Sequence, residues 1–87
     1  MPTVIVQVWE ESERGWGIRP DGYSLHKTMD ERNQYILKYW DSMPDDVPDE
    51  YSRPSGTPHL ADVENEVYDQ IKGDGARFWS NKYPKGK

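Results

Sequence analysis

Thr3 to Trp9 reads Thr-Val-Ile-Val-Gln-Val-Trp. In an extended chain alternate side chains share a face, so Val4, Val6 and Val8 line one side and Ile5, Gln7 and Trp9 the other. Both sides carry apolar groups, and β-branched and aromatic residues suit a pleated strand, so this segment belongs in the interior of a sheet. Polar Glu10 to Gly15 supplies a hairpin connection, and a second strand begins at Trp16 and runs through Ile18. Arg19-Pro-Asp-Gly22 reads as a turn, with Pro20 fixing φ and Gly22 tolerating a positive one. Tyr23 to His26 alternates again, so Trp16–His26 is either a tight hairpin or one strand with a bulge.

The period then changes to that of a helix. Thr28 stands three residues before Glu31, the capping-box arrangement, and Asp30 and Glu31 suit the positive end of the helix dipole. The helix is predicted from Met29 to about Ser42, stopped before Pro44. Ile36, Tyr39, Trp40 and Met43 fall on one face, with Leu37 at its border.

Pro44 to Pro58 contains Pro44, Pro48, Pro54 and Pro58, and it reads as a long irregular loop pinned by Val47 and Tyr51. His59 to Val63 is a further short strand. Asn65 is placed to cap a second helix, Glu66 to Lys72, that ends at Gly73 and turns Val67 and Ile71 inward. Ala76 to Trp79 returns as a last strand, and residues 80–87 form a flexible basic tail. The expected fold is a single α+β domain over residues 1–79, with a small antiparallel or mixed sheet of about four strands and two helices packed on one face.

Composition narrows this picture. Eighty-seven residues suffice for one core. Only thirteen Val, Ile and Leu residues are present, so the four Trp, six Tyr and one Phe must supply much of the buried area. With no Cys there is neither a disulfide framework nor a thiolate zinc site. The longest apolar run, Val4-Ile5-Val6, is far too short to span a membrane, and no leader is expected after Met1, so the expected location is cytoplasmic.

The net charge of -5 argues against a general affinity for nucleic-acid phosphates. It is also unevenly spread. Residues 41–50 hold Asp41, Asp45, Asp46, Asp49 and Glu50 without a base, while the last twelve hold Arg77, Lys82, Lys85 and Lys87 without an acid.

Three groups of residues could carry function. The segment Asp45–Arg53 combines a proline-stiffened backbone, the carboxylates of Asp45, Asp46, Asp49 and Glu50, and the contact residues Tyr51 and Arg53. It would suit a protein partner with a basic surface; the competing reading is a solvated loop latched to the first helix. Arg19, Asp21, Tyr23 and His26 could instead grip a phosphorylated ligand such as a nucleotide, or simply serve the turn and the core. Ser24, His26 and Asp21 have the residue types of a hydrolytic triad, but such neighbours arise often by chance and no strained nucleophile turn accompanies them. The acidic run lacks the glycine and alternating oxygen ligands of a calcium loop, so neither a metal nor another cofactor is expected.

Arg19-Pro-Asp-Gly-Tyr-Ser-Leu-His26 and Met43-Pro-Asp-Asp-Val-Pro-Asp-Glu-Tyr-Ser-Arg-Pro54 resemble stretches of small proteins encoded by tailed phages and by bacteria carrying prophages. The resemblance spans roughly Trp9 to Ile71. It implies a setting rather than an activity: a short accessory protein in a bacterial cytoplasm, of a kind that can inhibit a host defence protein. The leading expectation is therefore a non-enzymatic protein that binds a macromolecular partner, with homodimerisation through an exposed strand edge left open. The alternatives are a phosphorylated-ligand binder and, third, a small hydrolase.

Overall fold

The computed structural model describes residues 1–13, 15, 17–44 and 50–85, with only the backbone of Glu50. Six elements follow one another: β1 (Thr3–Glu13), β2 (Gly17–His26), α1 (Met29–Asp41), β3 (Glu50–Asp62), α2 (Asn65–Asp69) and β4 (Ala76–Phe78). The four strands form one sheet in the order β3-β1-β2-β4, and every neighbouring pair is antiparallel. This is the expected α+β class. β1 lies inside the sheet, as its two apolar faces require. At roughly 3.3 Å per residue, its eleven residues make a strand longer than either of the molecule's two shorter extents, 24 and 20 Å.

The register explains why Arg19–Gly22 does not turn the chain back. β2 pairs with β1 from Ile5↔His26 to Glu13↔Gly17, with one irregularity between Val8↔Tyr23 and Glu10↔Pro20. Asp21 and Gly22 there oppose a single residue of β1, so the segment is one strand with a bulge. Gly22 adopts φ +78°, and a Cβ on it would collide with the Phe78 carbonyl and the Trp79 backbone. Only glycine fits.

The predicted loop is corrected over much of its length, because Glu50–Asp62 is a strand that contains Pro54 and Pro58. β3 sits at the sheet edge, where one row of N–H groups has no ladder partner and proline is tolerated. Between Val6↔His59 and Val8↔Ser55 it also bulges through Gly56, Thr57 and Pro58. Gln7 fills that irregularity: its amide nitrogen donates to the Val8 carbonyl at 2.9 Å and to the Ser55 carbonyl at 3.0 Å.

The two helices lie on opposite faces, not together on one. Val4, Val6, Tyr23, Leu25, Ala61, Val63 and Ile71 form the buried apolar core of one face, and Val67 and Tyr68 of α2 pack against it. On the other face lie Gln7, Trp9, Ser24 and His26, all 0% exposed. α1 covers them. Arg32 donates from Nε (3.1 Å) and Nη2 (2.7 Å) to Gln7 Oε1, Tyr35 meets the His26 ring edge-on at 5.0 Å, and Tyr39 meets Trp9 at 4.9 Å.

α1 starts as predicted, with Thr28 Oγ1 accepting from the Glu31 N–H at 3.1 Å. Its docking face is shifted from the expected one: Tyr39 points inward as expected, joined by Arg32 and Tyr35, Ile36 and Met43 are half-buried, and Leu37 and Trp40 remain exposed. α2 is shorter than predicted, and its N-cap position is Glu64, not Asn65, with no side-chain capping hydrogen bond. Beyond β4 the chain is docked as far as Pro84. Asn81 Oδ1 accepts from the Gly22 N–H at 3.0 Å, the Tyr83 ring lies 6.5 Å from that of Tyr23, and His59 Nε2 donates to the Pro84 carbonyl at 3.0 Å. The tail expected to fray is therefore part of the packed surface over these residues.

Candidate functional site

Ser24 and His26 are two apart on β2 and so share a face. Their side chains meet, with Ser24 Oγ 2.8 Å from His26 Nε2. For a neutral imidazole the surrounding partners fix every proton in this contact. Trp9 Nε1, a donor only, gives its hydrogen to Ser24 Oγ at 2.7 Å. The other ring nitrogen, His26 Nδ1, lies 2.7 Å from the Asp74 carbonyl, which can only accept. His26 Nδ1 therefore carries the proton, Nε2 accepts from the Ser24 hydroxyl, and the chain runs Trp9 to Ser24 to His26 to Asp74.

Burial pushes the His26 pKa below its ordinary value, helped by the nearby Arg32 cation and opposed by the hydrogen bond to Asp74 and by the Glu31 and Asp74 charges. The imidazole is neutral. Two of the three residue types of a triad thus meet at hydrogen-bond distance, yet both are fully buried and already saturated. Asp21, the third, is elsewhere: it is bonded to Arg77 and Ser52. A substrate has no access to this serine, so its geometry is that of a core network.

Arg77 is the residue the sequence reading missed. Its guanidinium is sandwiched 4.5 Å from the Trp9 ring centroid and 4.3 Å from that of Trp79. Nη2 donates to the Asp21 carbonyl at 2.6 Å and to its carboxylate at 3.1 Å. Burial lowers the Arg77 pKa, with the Asp21 charge opposing. Ser52 continues the network, accepting from the Tyr39 hydroxyl at its carbonyl and donating its own hydroxyl to Asp21. The apolar-cation pairing of Trp79 with Arg77 was visible only as proximity in sequence; Trp9 lies 68 positions earlier and joins them through the sheet.

The phosphate-gripping set is not assembled. Arg19 forms ion pairs with Glu11, at 3.4 Å, and with Glu13. Tyr23 stacks on Phe78 with ring centroids 5.1 Å apart, while His26 is buried on the opposite face. Asp21 is held by Arg77. These four residues serve four different structural contacts.

The acidic set fares differently. Tyr51 and Arg53 lie on β3, where Tyr51 approaches Trp40 at 6.4 Å and Arg53 Nε pairs with Glu10 Oε1 at 2.6 Å. Asp45, Asp46 and Asp49 lie outside the described residues, as does the Glu50 side chain. The backbone register, however, places Glu50 opposite Glu13 and Ser52 opposite Glu11. The acids at the end of β1 and the start of β3 therefore share one end of the sheet.

Among the described residues, two cavities lie near the elements discussed above. One of about 370 Å³ lies between α1 and the segment after α2, lined by Tyr35, Lys38, Tyr39, Lys72, Asp74 and Gly75. The other, about 240 Å³, lies between the β1–β2 arm and the tail, beside Ile18, Pro20 and Tyr83. Among the described residues no group of three or more His, Asp or Glu side chains is placed to hold a metal ion, and no helix is long and apolar enough to cross a membrane. Comparisons with protein-family models, with curated proteins and with solved structures found no match.

Proposed function

We propose that this chain is a binding protein that acts by stoichiometric contact, through its acidic sheet end, with a protein partner bearing a basic surface. The observation that carries the reading is the register Glu13↔Glu50. It sets Glu13, with Glu11 and Glu10 further along β1, beside the backbone of Glu50, the last residue of the acidic run Asp45, Asp46, Asp49 and Glu50 in the sequence. Arg19 and Arg53 offset part of this charge through their pairs with β1. Four acids against two arginines still leave this end negative, Asp45, Asp46 and Asp49 precede Glu50 in the sequence with the same sign, and a single-sign patch steers an oppositely charged partner toward it. Tyr51, beside the exposed Trp40, supplies contact area of the kind that dominates interface energetics.

The burial of Ser24 and His26 favours binding over hydrolysis by these residues. In the setting that the two sequence motifs imply, the partner would be a bacterial host protein, and inhibition of a defence protein would be the biological outcome. The test is capture from a bacterial lysate by the tagged chain, followed by mass spectrometry and a repeat with Asp45, Asp46, Asp49 and Glu50 all replaced by Lys. A saturable partner retained by the native chain and lost by the variant supports the reading. Equal retention by both, or hydrolysis of an ester panel that disappears in Ser24→Ala, would overturn it.

A further inference from the structure

We propose that the cavity between α1 and Lys72–Gly75 is a binding site for a small planar anion, of the nucleoside monophosphate class. Its lining is mainly apolar, and the charged residues that line it are two cations and one anion. Lys38 and Lys72 bring ammonium groups from two separate segments, and Asp74 is the one carboxylate among the lining residues. Lys38 pairs with Asp74, but its side chain is 70% exposed and two of its three hydrogens remain available. Lys72 has no ion-pair partner among the described residues.

The Tyr39 hydroxyl is already engaged, donating to the Ser52 carbonyl, and burial raises the pKa of both lining tyrosines, so they present neutral rings. The two ammonium groups suit an acceptor-rich, negatively charged group, as a phosphate monoester is.

The walls ask for a flat ring. Tyr35 and Tyr39 both face the cavity, and Trp9 holds them edge-on from below at 6.2 and 4.9 Å. Rings fixed in this way offer a stacking surface without an ordering cost on binding. The floor is fixed as well. His26 Nδ1 holds the Asp74 carbonyl, and Gly75 lies so close to the imidazole that a Cβ would fall on it. Size sets the ligand's limit: 370 Å³ is near the lower end of ligand pockets, about 300–1,000 Å³, which suits one nucleotide and not two.

This site is separate from the acidic sheet end, so it stands or falls independently of the proposed partner. The test is titration calorimetry of the full chain with AMP, GMP, CMP and UMP, with the matching nucleosides and inorganic phosphate as separate arms. Saturable binding of at least one monophosphate is expected, at least tenfold tighter than its nucleoside or phosphate alone. Lys38→Ala and Lys72→Ala, both at exposed positions, should each weaken it at least fivefold, and Tyr35→Leu, which removes the stacking ring, should weaken it with the fold intact by circular dichroism. The fourfold Lys variant of the acidic end should bind the nucleotide at least as well as the native chain. No saturable heat with any monophosphate, nucleosides binding equally well, or unchanged affinity in the Lys38→Ala/Lys72→Ala double variant would each overturn the proposal.

Discussion

Ser24 and Leu25 are adjacent on β2, both 0% exposed, and they face opposite ways. Leu25 enters an apolar core with Val4, Val6 and Ile71, where close packing and removal of area from water supply the stabilisation. Ser24 enters a network in which Trp9, His26 and the Asp74 carbonyl each have one permitted role. The apolar face is tolerant, because any side chain of suitable volume serves it. The polar face is not, because deleting one group leaves its neighbours buried and unsatisfied. Residue types that suggest catalysis are here the means of joining a helix to a sheet.

Substitutions on the two faces should separate these behaviours. The largest effect is expected for His26→Ala, about 3–5 kcal/mol in chemical denaturation, since it opens a ring-sized cavity and strands Ser24 and the Asp74 carbonyl. Leu25→Ala should cost a comparable 2–5 kcal/mol through its cavity alone. The difference lies in pH: the Leu25 variant should keep the native pH profile and the His26 variant should flatten it.

The sign of that profile follows from the lowered His26 pKa. The unfolded chain, with a histidine pKa of about 6.5, binds the proton more readily than the folded one. Stability is therefore full above that value and declines as pH falls through the interval down to the lowered folded value. Protonation would also turn Nε2 into a donor and leave the Ser24 hydrogen without its acceptor. Denaturation midpoints at pH 7.5 and 5.5 measure the effect; a midpoint that rises on acidification in the native chain would contradict the neutral assignment.

Ser24→Ala should cost less, about 1–3 kcal/mol, by unpairing Trp9 Nε1 and His26 Nε2. The smallest effect is expected at the sheet end: Arg53→Gln breaks the pair with Glu10 on the surface and should leave the denaturation midpoint unchanged within error.

Much of this arrangement was legible from the residues. The alternation of Val4–Trp9 predicts an interior strand, and Thr28 with Glu31 predicts the start of α1. Yet the same alternation, apolar on both faces of β1, calls for a layer on each side of the sheet, and two helices on one face would have left Ile5, Gln7 and Trp9 bare. β3 was hidden because proline reads as a strand breaker, and nothing local says that Pro54 lies on an edge strand. Arg77 was hidden because its partners Trp9 and Asp21 reach it only through the pairing of β2 with β4. The acidic run was plain in the sequence, but the pairing of its last residue, Glu50, with Glu13 depends on a register that no local pattern encodes.

If the buried network serves stability and the acidic end serves recognition, the two must respond to different perturbations. The most direct test is the association rate of the captured partner, measured from low to high salt for the native chain and for the variant with Asp45, Asp46, Asp49 and Glu50 replaced by Lys. The native rate should fall steeply with salt, and the variant should associate at least about tenfold more slowly at low ionic strength, the gap closing as salt rises. A native rate that is independent of salt and equal to that of the variant would contradict the account.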